Sequence, residues 1–288
     1  MARFLIIGGS SLIGSNLFRM NYSYGDEVRV TTRSEAFNCI PLDLRRGDFS
    51  DVLSFGASYV FFCAAMTGVK KCEETPSEAF LINVTNTLSL ISSLVEKGAF
   101  VVWLSSSMVF DGQTLGNDEF SEYSPATMYG QLKVYVERHI MKDSLLSKRV
   151  AIVRPSKVVS RTHGITADFI RHFELDQSVN AFCDLLLSPV SVAYVCGALQ
   201  CIARCGNSGV FHLSGEMEFT YVQYAGLLSD RFGFNRDLIN PISSDYDSSL
   251  DVLFRPKHPS LSMSRTTELL GLSPEPINLT LDELFCQE

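Results

Sequence analysis

A tyrosine and a lysine four residues apart, Tyr129 and Lys133, are the side chains whose spacing most directly indicates chemistry. Apolar residues recur around them at helical spacing, and side chains four apart lie on the same face of a helix. The Lys133 ammonium should therefore lie beside the Tyr129 phenol and lower its pKa. Such a tyrosine can exchange a proton near neutral pH. Because the spacing is common, its meaning depends on a cofactor site and a polar partner elsewhere in the chain.

A glycine-rich turn near the N-terminus supplies the context for a cofactor. Residues 3–7 are predicted to form a buried strand, which leads into residues 8–14 (GGSSLIG) and a helix over 12–20. Strand, glycine-rich turn and helix together are typical of a dinucleotide-binding motif. Gly8 would allow the tight turn and Gly14 close packing of helix on strand. Backbone amides at the helix start would bind a pyrophosphate.

The end of the second predicted strand, residues 27–31, bears on the choice of cofactor. NAD-selective sites carry a carboxylate there, which binds the ribose 2′-hydroxyl. Here the sequence continues as Thr32, Arg33 and Ser34, with an arginine and no acid. This favours the 2′-phosphate of NADP(H) and leaves NAD(H) open.

Further strands are predicted over 37–42, 58–63, 99–104 and 149–154, alternating with helices. Asp43 follows the first of them and is a candidate adenine contact. Ala64 and Ala65 follow the second, and a serine run at 105–107 follows the third. Small and polar residues at the carboxyl ends of strands suit a ligand that lies across an open α/β sheet.

This alternation predicts an α/β fold, a Rossmann-type doubly wound parallel sheet. Beyond Pro155 the pattern becomes irregular, although a helix is predicted around 221–232. We therefore predict a NAD(P)-binding domain over 1–154. Residues 155–288 should form mainly a smaller substrate-binding cap, with some segments returning to the sheet.

Composition narrows the class of protein. A formal net charge of -8 over 288 residues argues against a nucleic-acid binder. No signal peptide is evident, and no apolar stretch approaches the roughly 20 residues that span a bilayer. The eight cysteines do not form a disulfide framework, and the histidines lack metal-ligand spacing. We expect a cytoplasmic protein with no metal site and no membrane or nucleic-acid partner.

With glycine turn, serine run and Tyr-x-x-x-Lys in this order, the chain resembles the extended short-chain dehydrogenase/reductases. Within them it is most similar to the dTDP-4-dehydrorhamnose reductase branch, on landmarks that include residues 109–112 (VFDG), Ser188-Pro189 and 210–215 (VFHLSG). The resemblance covers nearly the whole chain. It implies NADPH-dependent reduction of a keto group on a nucleotide-linked sugar, in deoxysugar or surface polysaccharide biosynthesis. A homodimer is a further prediction.

The resemblance also assigns roles to residues. Ser106, Tyr129 and Lys133 take the catalytic positions, and Asn83 takes that of a helix asparagine that supports a proton relay through water. Together with the strand ends above, the predicted cofactor-binding residues are Gly8, Ser10, Ser11, Leu12, Ile13, Gly14, Thr32, Arg33, Asp43, Cys63, Ala64, Ala65, Pro155 and Ser156. The predicted substrate-side residues are Ser107, Met108 and Lys157.

Several positions depart from the branch. Ser11 replaces the middle glycine of the turn, so its side chain must point away from a pyrophosphate or bond to it. Ser107 and Met108 replace the usual Asp-Tyr, and Lys157 stands where a tryptophan is common. These three departures leave the identity of the sugar open.

The residues at 107 and 108 also bear on which other enzyme classes fit the sequence. Ser107-Met108 also replaces the Asp-Glu pair of a sugar dehydratase, and Met108 replaces the cysteine of a GDP-fucose-type epimerase-reductase, which disfavours both. A nucleotide-sugar 4-epimerase with bound NAD remains open, because its essential residues are the same three. A non-catalytic nucleotide-binding regulatory subunit is the alternative from a different class.

Overall fold

Strands and helices alternate along the residues that the computed structural model describes, which are 2–21, 26–33, 39–245 and 254–286. The strands are β1 (Arg3–Ile7), β2 (Glu27–Thr32), β3 (Cys39–Pro41), β4 (Tyr59–Phe62), β5 (Phe100–Leu104), β6 (Val150–Pro155), β7 (Lys157–Val159), β8 (Val179–Phe182), β9 (Leu186–Leu187), β10 (Pro189–Ser191), β11 (Gly209–Leu213), β12 (Phe219–Thr220) and β13 (Ile239–Ile242). The helices are α1 (Leu12–Asn21), α2 (Ser50–Ser54), α3 (Val69–Glu74), α4 (Pro76–Phe80), α5 (Thr87–Glu96), α6 (Met128–Lys142), α7 (Leu146–Arg149), α8 (Gly164–Glu174), α9 (Val192–Cys205), α10 (Tyr221–Phe232), α11 (Ser264–Leu270) and α12 (Ile277–Cys286). Single 3₁₀ turns lie at Ser107–Val109 and Arg236–Leu238.

The chain forms two compact units. The first comprises Met1–Val109, Tyr123–Arg154 and Cys196–Phe211, and the second comprises Phe110–Glu122, Pro155–Val195 and His212–Glu288. Each unit has its own hydrophobic cluster.

A seven-stranded sheet organises the first unit, in the order β11-β6-β5-β4-β1-β2-β3. The pairings from β6 through β3 are parallel. Strands β1, β4, β5 and β6 are apolar and buried almost throughout, as expected for a parallel sheet covered by helices on both faces. The predicted Rossmann-type doubly wound α/β fold is confirmed.

A helix over Pro76–Glu96 links β4 to β5 and contains a π-helical turn at Leu81–Asn86 between α4 and α5. Gly98 follows the C-cap Lys97 of this helix, its φ of 91° suits glycine, and the Gly98 N–H donates to the Val95 carbonyl. Its length and apolar composition would allow a membrane span, contrary to the expectation from sequence that no stretch comes near this. A buried core helix passes the same test, and 44% of the apolar window is buried.

The second unit is built from short strand pairs and helices. β7 pairs with β10 and β8 with β13, both parallel, whereas β9 and β12 are antiparallel. Its core packs aromatic side chains of α8 and α10, including Phe169, Phe173 and Tyr224, against Leu281 and Leu284 of α12.

The predicted elements differ from the observed ones mainly at their ends. The third strand was predicted over 37–42, but the described strand β3 is Cys39–Pro41, and residues 37 and 38 lie outside the described part of the chain, as does Ser34. Helix α10 has the predicted limits, because Thr220 caps its start and Gly233 its end.

Candidate active site

The glycine-rich turn between β1 and α1 is shaped by close backbone approaches. Gly8 has φ of +90°, and a Cβ at this position would lie 2.8 Å from the backbone nitrogen of Ala64. A Cβ on Gly14 would overlap the Gly8 carbonyl oxygen. Only glycine fits at both positions, which leaves the amides at the start of α1 open to an approaching phosphate.

The Ser11 side chain, which replaces the middle glycine of the turn, makes two hydrogen bonds within the turn itself. Its hydroxyl donates to the Gly8 carbonyl at 2.8 Å and accepts from the Gly14 N–H at 3.0 Å. The side chain is therefore folded into the turn and caps the start of α1. A serine in place of the usual glycine stabilises the turn from inside.

Thr31 of β2 was missed in the sequence and holds the same turn from the other side. Its hydroxyl accepts from the Gly8 N–H at 3.0 Å, and its carbonyl accepts from the Gly9 N–H at 2.9 Å. The side chain is buried. A threonine at the end of the second strand of a dinucleotide motif was the available signal.

A cavity of about 430 Å³ lies along the carboxyl ends of β1, β2 and β4. Nine of the fourteen predicted cofactor-binding residues line it. Leu12, Ile13 and Gly14 instead form the first turn of α1. The lining residues are Gly8, Ser10, Ser11, Thr31, Thr32, Arg33, Leu42, Asp43, Leu44, Arg45, Cys63, Ala64, Ala65, Met66, Thr67, Gly68, Lys71, Glu78 and Ile82.

The charged lining is net positive in an acidic protein. Arg33, Arg45 and Lys71 face two carboxylates, Asp43 and Glu78. Arg45 donates to both Asp43 oxygens, at 3.0 and 2.6 Å, and this hydrogen bonding lowers the Asp43 pKa to about 2. Asp43 thus lines the cavity as predicted, but its carboxylate already binds Arg45, and an adenine contact stays a prediction.

Helix α6 begins directly against the turn that carries Ser106. Thr127 caps the helix, since its hydroxyl accepts from the Gly130 N–H at 3.1 Å. A Cβ on Gly130 would overlap the Met108 carbonyl oxygen, so glycine permits the contact. The Ser106 hydroxyl accepts from the Met108 N–H at 3.2 Å. The first turn of α6, with Tyr129, is therefore packed on the Ser106 turn.

Tyr129 and Lys133 lie side by side on the buried face of α6. The Lys133 Nζ is 5.6 Å from the centroid of the Tyr129 ring and 4.5 Å from that of Trp103. It donates to the Leu104 carbonyl at 2.7 Å. The ammonium is thus tied to the carboxyl end of β5, just before the serine run.

The expected fall in the Tyr129 pKa is wrong for this structure. Burial of the phenol disfavours its charged form and raises its pKa well above the ordinary value, a buried thiol at Cys72 adding to this. Burial lowers the Lys133 pKa to about 8, against the opposing effect of the Glu137 carboxylate. Tyr129 is therefore a neutral phenol at neutral pH, the form that donates a proton.

Asn83 lies in the π-helical turn and is buried. Its side-chain oxygen accepts from the Met66 N–H at 2.8 Å, and its side-chain nitrogen donates to the Met66 carbonyl at 3.0 Å. The amide thus clamps the segment after β4 that lines the cavity. With both polar ends occupied in this way, a role in a proton relay stays a prediction.

The remaining predicted residues are placed as follows. Ser107 and Met108 form the half-buried 3₁₀ turn after Ser106. In the second unit, Pro155 is followed by the buried Ser156, whose hydroxyl donates to the Ser188 carbonyl at 2.7 Å. Lys157 is exposed at the start of β7, although surrounding protein desolvates it enough to lower its pKa. Their roles toward cofactor and substrate stay predictions.

The glycine turn, the cavity and the Tyr-x-x-x-Lys helix define a dinucleotide-binding protein of the extended short-chain dehydrogenase/reductase type. The profile of one family, described as RmlD substrate binding domain, matches residues 2–287, and the chain belongs to that family. This confirms the resemblance to the dTDP-4-dehydrorhamnose reductase branch.

Individual relatives are distant but nearly full-length. The dTDP-4-keto-6-deoxy-D-glucose reductase of Streptomyces niveus is 26% identical over 284 residues, covering 94% of this chain and 92% of that protein. Methionine adenosyltransferase 2 subunit beta of Xenopus laevis is 24% identical over 277 residues, covering 93% and 82%. The crystal structure of a Bacillus anthracis dTDP-4-dehydrorhamnose reductase in complex with NADP superposes with a TM-score of 0.87 at 21% identity, covering 100% of both chains. That likeness demonstrates the shared fold.

Proposed function

We propose that this protein is an NADPH-dependent reductase of a keto group on a nucleotide-linked sugar. The observation that carries the proposal is the buried Tyr129–Lys133 pair packed on the Ser106 turn at the end of β5. Strand β5 is the parallel neighbour of β4, with Trp103 opposite Phe62. The proposed proton donor is therefore held at the carboxyl ends of the same parallel strands that border the cavity.

The residues of the cavity fit a dinucleotide. Glycine at positions 8 and 14 lets the turn pack closely against Ala64 and against the start of α1, and the amides at the start of α1 would bind the pyrophosphate. Arg33 and Lys71 would favour the 2′-phosphate of NADP(H). The NADP complex of the Bacillus anthracis reductase supports this choice, while NAD(H) remains the alternative.

When bound, NADPH supplies the hydride that adds to the keto carbon. Negative charge then develops on the carbonyl oxygen. The Ser106 hydroxyl would hydrogen-bond this oxygen, and the neutral Tyr129 phenol would give it a proton, which completes a secondary alcohol. The adjacent Lys133 ammonium stabilises the phenolate left behind and would hold the nicotinamide ribose. Solvent then returns the proton to Tyr129.

The relatives support the substrate class and the setting. The Streptomyces niveus protein is a reductase of a dTDP-linked ketosugar, which supports a nucleotide-sugar substrate for this chain. Ser107, Met108 and Lys157 would contact the sugar nucleotide. We place the protein in the cytoplasm and in deoxysugar or polysaccharide biosynthesis, and homodimer formation stays a prediction.

A second candidate is a nucleotide-binding subunit of another enzyme. The similarity to methionine adenosyltransferase 2 subunit beta over 93% of this chain favours it. The presence of Ser106, Tyr129 and Lys133 in one packed arrangement favours catalysis instead. An epimerase would use the same residues but would not consume its cofactor.

A cofactor-consumption assay separates these candidates. The protein is incubated with NADPH or NADH and a panel of 4-keto nucleotide sugars, and absorbance of the reduced nicotinamide is followed. A reductase oxidises NADPH in proportion to the sugar added. Binding of NADPH without oxidation across the panel would support the subunit, and an isomerised sugar without net oxidation would support the epimerase.

A further inference from the structure

A buried ion pair lies one helical turn beyond Lys133. Glu137 of α6 and Arg154 at the end of β6 have side chains 0% and 1% exposed, and the Arg154 Nε lies 3.1 Å from both Glu137 oxygens. Removing two charges from water is costly, and such pairs are weak evidence for a gain in stability. The partners of this pair indicate what else it does.

The Glu137 carboxylate also contacts two further segments. It accepts a short hydrogen bond from the Ser105 hydroxyl at the end of β5. It also accepts from the Tyr123 hydroxyl, at 3.0 Å, in the segment that leads into α6. The Tyr123 ring in turn lies under the Arg154 guanidinium at 5.2 Å. One carboxylate thus fixes α6 against the ends of β5 and β6.

These contacts involve the residues next to the proposed catalytic side chains. Ser105, whose N–H donates to the Val153 carbonyl at 2.7 Å, directly precedes Ser106. Residues four apart share a helix face, so Tyr129, Lys133 and Glu137 line one side of α6. Lys133 bonds to Leu104, and Glu137 bonds to the next residue along the strand.

We propose that Glu137 is a positioning residue for the reductase function proposed above. It fixes Ser105, and with it the neighbouring Ser106, and its negative charge keeps Lys133 protonated inside the protein. In the sequence, the spacing of four residues between Lys133 and Glu137 was the available signal for this role.

Titratable groups from several elements act on Lys133. Glu137 from α6 favours the ammonium, as do thiols at Cys72 in α3 and Cys63 after β4, while burial opposes it. The thiols are themselves neutral near pH 7, because burial raises the pKa of each. Glu137 is the carboxylate among these groups, and its ion pair with Arg154 holds it on the same face of α6 as Lys133.

The hydrogen bond from Ser105 and the charge of Glu137 are tested by separate variants. Ser105→Ala removes the hydrogen bond but keeps the Glu137–Arg154 pair. Ser229→Ala is the matched control, a buried serine of α10 whose hydroxyl donates to the Ala225 carbonyl. The free energy of a hydrogen bond to a charged group corresponds to a factor of roughly ten or more in an equilibrium constant. Ser105→Ala should therefore lower kcat at least tenfold without changing NADPH affinity. An effect no larger than that of Ser229→Ala would overturn the positioning of Ser106.

The double variant Glu137→Gln with Arg154→Met removes both charges and leaves an acceptor for Ser105. The Lys133 titration is followed by NMR of lysine labelled with ¹³C at Cε, and we expect its midpoint to fall by roughly one pH unit. The alkaline limb of kcat should move with it, which a merely structural role would not produce. An unchanged midpoint would overturn the electrostatic part.

Failure of the Glu137 proposal can be distinguished from failure of the proposed reductase function. A wild-type protein that reduces no ketosugar refutes that function, and the Lys133 titration then decides the inference alone. Should the double variant fail to fold, Ser105→Ala decides it, because that variant retains every charge.

Discussion

Gly130→Ala tests whether the contact between α6 and the Ser106 turn sets the rate. An alanine Cβ would overlap the Met108 carbonyl oxygen, whereas ordinary contact begins at 3.4 Å. Helix and turn must therefore separate, and a displacement on the order of 1 Å in an active site costs about 10²-fold in rate. We expect kcat to fall about 100-fold, with NADPH affinity close to that of the wild type.

The effect on stability has two opposing parts. Alanine in place of glycine inside a helix contributes about 1 kcal/mol, while overpacking costs about 1–3 kcal/mol. The free energy of unfolding should therefore fall by as much as about 2 kcal/mol, or roughly 4–8 °C in Tm. Denaturant unfolding followed by circular dichroism measures it.

Gly197→Ala is the matched control for this prediction. Gly197 lies inside α9, and a Cβ there would meet no atom within 4 Å. This variant should gain up to about 1 kcal/mol and keep full activity. If Gly130→Ala behaves in the same way, the packing of α6 on the Ser106 turn does not control catalysis.

Tyr129→Phe should lose about 10²–10⁴-fold in reductase turnover yet still bind NADPH. Tyr135→Phe, which alters an exposed tyrosine of the same helix, should remain active. Full turnover by Tyr129→Phe would rule out Tyr129 as the proton donor. Because the Lys133 ammonium is the active form and its pKa is about 8, kcat should be constant below this pH and fall as pH rises through it, and a flat profile to pH 10 would contradict the assignment. Arg33→Ala should raise the Kd for NADPH more than that for NADH, measured by fluorescence titration, and equal changes would remove Arg33 from 2′-phosphate recognition. Lys157→Ala should raise KM for the nucleotide sugar with little change in NADPH affinity, and an unchanged KM would exclude Lys157.

The elements that carry the proposed catalytic and cofactor-binding residues were predictable, because each is determined by residues close together in the sequence. The glycine turn, the buried strand before it and the Tyr129–Lys133 helix are set by backbone freedom, apolar runs and helical spacing. Helix α10 lies where a helix was predicted around 221–232, and in the structure a capping box at Thr220 and a left-handed Gly233 mark its ends.

Other features depend on long-range contacts that no local pattern encodes. The pKa of Tyr129 rises because the fold buries the phenol, which the neighbouring lysine in the sequence could not indicate. Glu137 is buried in an ion pair because Arg154, 17 residues away in the sequence, meets it at the end of β6. The short strands β7–β10, β12 and β13 are only two to four residues long, too short for a period to show.

Transfer of deuterium from NADPH to the sugar tests the central claim most directly. NADPH carrying deuterium at both C4 positions is incubated with the protein and a dTDP-linked 4-keto sugar, and the product is examined by mass spectrometry and NMR. Reduction as proposed yields a sugar alcohol with a single deuterium on the former keto carbon and one NADP⁺ per product. A product without deuterium, or unchanged NADPH alongside intact ketosugar, would contradict the account.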